Sequence, residues 1–198
     1  MATPQFILDL RERIGHRELW LSGVTAIILR DPAGKAVNGA SSESEGVVKP
    51  AGAHDAATGN PDSREVLLVQ RSDNQRWTPV TGIIDPREQP NVAAAREAKE
   101  EAGVDINVDR VLWVQSLPEP ITYPNGDVAS YLDIAFACSM AEGSGEAAVS
   151  DDENDAVGWF PVASLPPMGE RFRRLIDAAL EPAHLPTRFG VSQGHRGN

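Results

Sequence analysis

Apolar positions along the chain switch between a helical and a strand-like period. Phe6, Ile7, Leu10 and Ile14 recur at helical spacing, which predicts a short amphipathic helix over residues 4–15, packed on the domain edge. Residues 21–29 (LSGVTAIIL) and 65–70 (EVLLVQ) are β-branched and apolar enough to predict neighbouring strands. Between them, residues 31–63 are rich in Gly, Ala, Ser, Asn, Pro and Asp and nearly free of large apolar side chains, so they read as a flexible insertion in a hairpin. A loop over residues 72–81 leads to a helix over 90–102, with Pro90 in its first turn and Gly103 where a left-handed residue ends it. Strands are predicted at 106–117 and 129–137, the second preceded by the turn Pro124-Asn-Gly-Asp127. An acidic loop over 142–155, a short apolar segment at 157–160, a helix over 169–180 and a loose tail from 181 close the chain.

Composition narrows the partners. The chain's 198 residues suffice for one well-buried domain, and no internal repeat is visible. Eighteen Lys and Arg against 29 Asp and Glu leave a formal net charge of −11, which opposes binding to nucleic acid or an anionic membrane. A phosphate-bearing ligand therefore needs a local device, and carboxylates holding a metal ion are one. The single cysteine, Cys138, lies in an apolar stretch and reads as a small buried hydrophobe. No run has the pattern of a signal peptide or the length of a membrane span, so a cytoplasmic location is expected.

The densest chemistry lies in residues 82–104, GIIDPREQPNVAAAREAKEEAGV, where a glycine-containing turn runs into the helix. At about 100° per residue, Glu97, Glu100 and Glu101 fall within roughly 100° of arc, so three carboxylates are expected to converge. Like charges at that spacing repel by a few tenths of a kcal/mol per pair unless a cation sits among them. Magnesium suits such a site, because it prefers oxygen ligands and shares its shell among carboxylates, water and phosphate oxygens. Ala94, Ala98 and Ala102 form a small-residue stripe that lets the helix pack close to a sheet. Arg96 stands four residues before Glu100 and within reach of Glu88, which suits a structural ion pair.

This segment resembles the signature of the Nudix hydrolases, the superfamily that includes the MutT-like enzymes. Gly82, Glu88, Arg96, Glu97, Glu100, Glu101, Gly103 and Val104 all match it. A chance match in a chain of this length has a probability on the order of 10⁻⁷ from average residue usage. Ala98 departs from the larger aliphatic residue common in the family, and Pro79-Val-Thr-Gly82 replaces the frequent Pro-Gly-Gly. The resemblance implies an α/β (α+β) fold, a Nudix-type α/β/α sandwich with a mixed sheet. It would comprise an N-terminal helix and lead-in (residues 1–20), the hydrolase domain (21–181, with 32–63 as the flexible insertion) and a C-terminal tail (182–198). Glu97 and Glu101 are then the principal metal ligands, Glu100 completes the cluster and acts with Glu97 in catalysis, and the backbone carbonyl of Thr81 adds an oxygen. Gly82, Glu88, Arg96 and Gly103 serve the motif's structure. Magnesium is the implied cofactor, with manganese as a substitute, and a homodimer is the implied assembly.

The implied reaction is hydrolysis of a diphosphate linkage in a nucleoside diphosphate joined to another group, for example ADP-ribose to AMP and ribose 5-phosphate. A MutT-like nucleoside triphosphate pyrophosphohydrolase is the alternative, and a non-catalytic nucleotide sensor is the alternative from another class. Glu153 is the candidate base, with Asp151 and Asp152 as alternatives, in a run that reads equally as a solvated acidic loop. Arg71 and Arg76 are candidates to meet phosphates, and Trp77, Trp20 or Tyr123 to stack a base, with core or rim packing the plainer reading of each aromatic. Residues 77–80 and the hairpin 123–127 look similar to stretches in proteins labelled ADP-ribose pyrophosphatases.

Overall fold

A computed structural model describes residues 3–32, 63–150 and 153–190. Its centre is β1 (Leu19–Arg30), which pairs in parallel with β7 (Val128–Met140) from Leu19↔Ala129 to Leu29↔Ser139. Both strands are covered on two faces, which explains why their sequences are near-continuous apolar runs rather than strict alternations. β7 also pairs antiparallel with β5 (Ile106–Ser116), so the sheet is mixed, as expected.

Alternate residues of the same strands feed two cores. Val24, Ala26, Ile28, Phe136 and Cys138 face α2 (Pro90–Ala102), whose Ala93, Ala94, Ala98 and Ala102 are fully buried. Ile27, Ala135 and Ala137 face α3 (Glu170–Leu180) through Leu175, Ile176, Ala178 and Ala179. The result is the expected α/β/α sandwich, stabilised by roughly 1.5–3 kcal/mol for each large side chain fully withdrawn from water. The opening helix, α1 (Gln5–Ile14), packs Ile7 on Leu21, Ala129 and Tyr131 at one end of the sheet. Among the described residues no helix is long and apolar enough to cross a membrane.

Three stretches differ from the expectations. The loop 72–81 contains β3 (Trp77–Thr78) and the start of β4 (Val80–Ile83), two strands too short to show a period. β8 (Asn154–Pro161) starts inside the acidic loop and pairs with β2 (Glu65–Arg71) from Arg71↔Asn154 to Glu65↔Pro161. The start of the tail is tied down, since β9 (Arg188–Phe189) pairs with β5 and Trp113 Nε1 donates to the Gly190 carbonyl. Most of the expected insertion, residues 33–62, and the tail's 191–198 lie outside the described residues.

One topological detail positions the site. The far end of β1 pairs with β2 at Leu29 and Arg30, while its middle pairs with β4 from Gly23↔Ile83 to Ala26↔Val80. Thr81 and Gly82 are therefore fixed opposite Thr25 and Val24.

Candidate active site

α2 begins with Pro90 at its first position and ends at Gly103, whose φ of 70° is left-handed and whose N–H reaches the carbonyls of Ala98 and Lys99. With the alanine stripe on the sheet, Glu97 and Glu101 are buried beside it at 0% and 5% exposure. Arg96 joins this helix to the loop before it. Its Nε and Nη2 donate to the two oxygens of Glu88, both at 2.8 Å, and Nη2 also donates to the Ile83 carbonyl at 3.1 Å. The Glu88 carboxylate in turn accepts the Asp85 N–H, and Arg96 holds its pKa below the ordinary carboxylate value. The structural ion pair expected of Arg96 is therefore in place.

The same guanidinium changes the picture of the glutamates. Nη1 donates to Glu97 Oε1 at 2.9 Å and to Glu100 Oε2 at 3.0 Å. Among the described residues no three carboxylates, histidines or cysteines form a metal-holding group, so the convergence expected from helical spacing needs correction. Helical spacing puts three Cα atoms on one arc but leaves the side chains free to choose partners. Arg96 draws Glu100 to the surface, where it is 44% exposed, while Glu97 and Glu101 remain buried.

Glu97 is under-compensated. Its Oε2 is buried with no hydrogen-bond partner, and burial pushes its pKa up to about 8 despite Arg96. It is also tightly cradled: a Cβ on Gly82 would fall 1.9 Å from Glu97 Cδ and 2.0 Å from Oε1. The motif glycine is required here by the carboxylate packed on it, and its backbone is not left-handed. A buried carboxylate oxygen awaiting a partner, a second buried glutamate and the nearby Thr81 backbone form a hard-oxygen donor set that fits a divalent cation.

A cleft of about 900 Å³ is lined by residues of α2, α3 and the strands between them. It brings together Arg71, Arg76, Trp77, Thr81, Gly82, Glu101, Tyr123 and Glu153, residues the sequence singled out from five separate stretches. Arg71 is held by Asp73 through Nε and Nη2, both at 3.0 Å, and also feels the charges of Glu153 and Glu101. Trp77 packs edge-on to Phe160 with ring centroids 4.7 Å apart, so it serves the core as well as the cleft wall. The Tyr123 hydroxyl bonds that of Tyr131 at 2.6 Å. The Glu153 carbonyl accepts from Ser72 N and Oγ, which clamps the acidic loop to the β2–β3 turn. Trp20 is 62% exposed and lies outside the cleft lining, so the base-stacking role considered for it is not supported. Asp151 and Asp152 lie outside the described residues.

The NUDIX domain family model matches residues 54–179, more than half of the chain. The chain belongs to the Nudix family. α1 and β1 precede the matched residues, although β1 is the centre of the Nudix sheet. The chain is 29% identical over 107 residues to Bacillus subtilis YjhB, provisionally named an ADP-ribose pyrophosphatase, covering 54% of this chain and 49% of that protein. It is 30% identical over 95 residues to a MutT-like protein of Streptomyces ambofaciens, covering 48% and 54%. The chain thus spans about half the length of these curated relatives. In fold it is similar to an ADP-ribose pyrophosphatase from Streptococcus suis, with a TM-score of 0.54 and 20% identity over 85% of this chain and 98% of that one.

Sequence reasoning missed three residues of this Nudix cleft. Asp133 on β7 is 4% exposed and accepts from Thr25 Oγ1 and Arg171 Nη1, both at 2.7 Å. The available signals were an aspartate inside an apolar strand and an arginine at the start of a helix, neither specific without the fold.

Proposed function

We propose that the chain hydrolyses the diphosphate linkage of a nucleoside diphosphate joined to another group, ADP-ribose being an example, with magnesium as cofactor and manganese as a substitute. The observation that carries this reading is the pair of buried glutamates on α2, Glu97 cradled by Gly82 and Glu101 lining a cleft large enough for such a nucleotide. The likeness to YjhB, provisionally named an ADP-ribose pyrophosphatase, supports the substrate class.

Glu97 and Glu101, with the Thr81 carbonyl, would hold the cation, and Glu100 would join them on leaving Arg96. A bound magnesium supplies neutralisation of phosphate charge and acidification of water. The chain's own residues do the rest. Arg96 and Glu88 keep the loop rigid against the helix, Arg71 stands in the cleft as a phosphate contact that must exchange from Asp73, and Glu153 is the candidate to take the water's proton.

A substrate panel with and without magnesium tests the reading. Release of AMP and ribose 5-phosphate from ADP-ribose, abolished by a chelator, is the expected result. Pyrophosphate release from nucleoside triphosphates alone would move the assignment to a MutT-like activity. Binding without magnesium and without turnover on any substrate would replace an enzyme by a sensor.

A further inference from the structure

Arg171 occupies the first turn of α3, where the helix dipole disfavours a cation. Its partner Asp133 is itself buried, with one oxygen on the Thr25 hydroxyl and the other on Arg171. Withdrawing the Asp133 carboxylate from water carries a desolvation cost that an ion pair can fail to recover, and apolar packing can join β7 to α3 as well. Leu175 and Ile176 do so on the next turns of the same helix. Two unfavourable choices thus coincide at one place, and that place is the cleft wall.

Arg171 is not used up by this pairing. Its side chain keeps 24% of its surface accessible and lines the cleft, and among the described residues Nη1 is the only nitrogen with a hydrogen bond. Asp133 fixes one side of the planar guanidinium, with the Phe172 ring 4.3 Å from its carbon. Thr25, which anchors Asp133, is registered directly opposite Thr81 across β1 and β4. β1 thus separates the strand that carries Thr81 from β7, which carries Asp133, and Thr81, Asp133 and Arg171 all line the same cleft. A diphosphate in that cleft can therefore meet Arg171 as well as the Thr81 and Glu101 wall.

We propose that Arg171 is a phosphate-binding residue of the cleft, donating to non-bridging oxygens of the substrate's diphosphate, and that Asp133 is the positioning residue that orients it. This rests on the diphosphate reading above. A guanidinium fork matches phosphate geometry, and one already held by a carboxylate loses little freedom on binding.

The test uses the full chain with magnesium, calorimetric titration with α,β-methylene-ADP and with adenosine, and kinetics on the best substrate of the panel. Arg171→Met is expected to weaken the methylene analogue roughly 10–100-fold, the scale of a hydrogen bond to a charged group, with adenosine binding unchanged. Arg171→Lys should recover part of the loss. Asp133→Asn should give a smaller loss that appears in KM rather than kcat. A merely structural pair would lower the melting temperature and weaken both ligands alike, and that outcome overturns the proposal. If Arg171→Met does not fold, Arg171→Gln, which can still bond Asp133, carries the same expectation. Wild-type-like affinity for the analogue in a folded variant sinks the role of Arg171 while leaving the diphosphate reading intact. A wild-type chain that neither binds the analogue nor cleaves any diphosphate removes the reading and this inference together.

Discussion

Two buried carboxylates stand on either side of the central strand, and the protein treats them differently. Asp133, on the α3 side, has both oxygens engaged, one by Thr25 and the other by Arg171. Glu97, on α2, has one oxygen on a guanidinium shared with Glu88 and Glu100, and its other oxygen is buried with no hydrogen bond. Burial raises the pKa of both. The first charge is answered from within the chain, which fixes an arginine in place. The second is answered at one oxygen only; under the proposed function the other is left for a cation, and the two carboxylates would then serve opposite halves of phosphate recognition.

The largest break in this asymmetry is expected at Glu101, the buried glutamate that lines the cleft. Glu101→Gln keeps the size and removes the charge. Turnover should fall roughly 10²–10³-fold, the scale of losing one preorganised electrostatic contact. The measurement is kcat against magnesium concentration; an unchanged kcat at saturating magnesium would exclude Glu101 from the metal set.

A second, smaller effect sharpens the contrast through pH. Glu97 has a folded-state pKa of about 8 against an ordinary 4.5, so the folded chain binds its proton more tightly than the unfolded chain does. Its contribution to stability is full below about pH 4.5 and is lost as pH rises through 8. In metal-free protein, Glu97→Gln should therefore be more stable than wild type near pH 8 and lose that advantage toward pH 5. Each pKa unit corresponds to about 1.4 kcal/mol, so the difference is on the order of a few kcal/mol. Denaturant midpoints across that range, in chelator, check it. A constant difference between the two proteins would mean that Glu97 does not carry this linkage.

The same contrast explains what could be read in advance. The bounds of α2, its left-handed cap and the Arg96 pairing with Glu88 were legible because they depend on residues a few positions apart and on local backbone preferences. The glutamate cluster was half legible: spacing placed the Cα atoms, but Arg96 decided where Glu100 points. The Asp133 group was hidden because its members lie 108 and 38 positions apart and meet only through strand register. β3 and β9, at two residues each, are too short for a period, and β8 was masked by the acidic residues at its start. Gly82 was recognised as part of a motif, but its reason, a carboxylate in the space of its missing Cβ, needs coordinates.

That reason gives the smallest and most specific break. Alanine at position 82 would put its Cβ 1.9 Å from Glu97 Cδ, closer than any real contact, so the carboxylate or the strand must move. Gly82→Ala is expected to destabilise by about 1–3 kcal/mol, the usual range for overpacking a tight site. The clash exists only while a glutamate-sized side chain fills the cradle. Glu97→Ala empties it, and in that background Gly82→Ala should lose most of its cost, a difference larger than the about 0.5 kcal/mol within which independent sites add. A double-mutant cycle from urea midpoints measures this coupling. Equal costs in both backgrounds would mean that Gly82 is required by its own backbone, and that the cradle does not hold Glu97 in place.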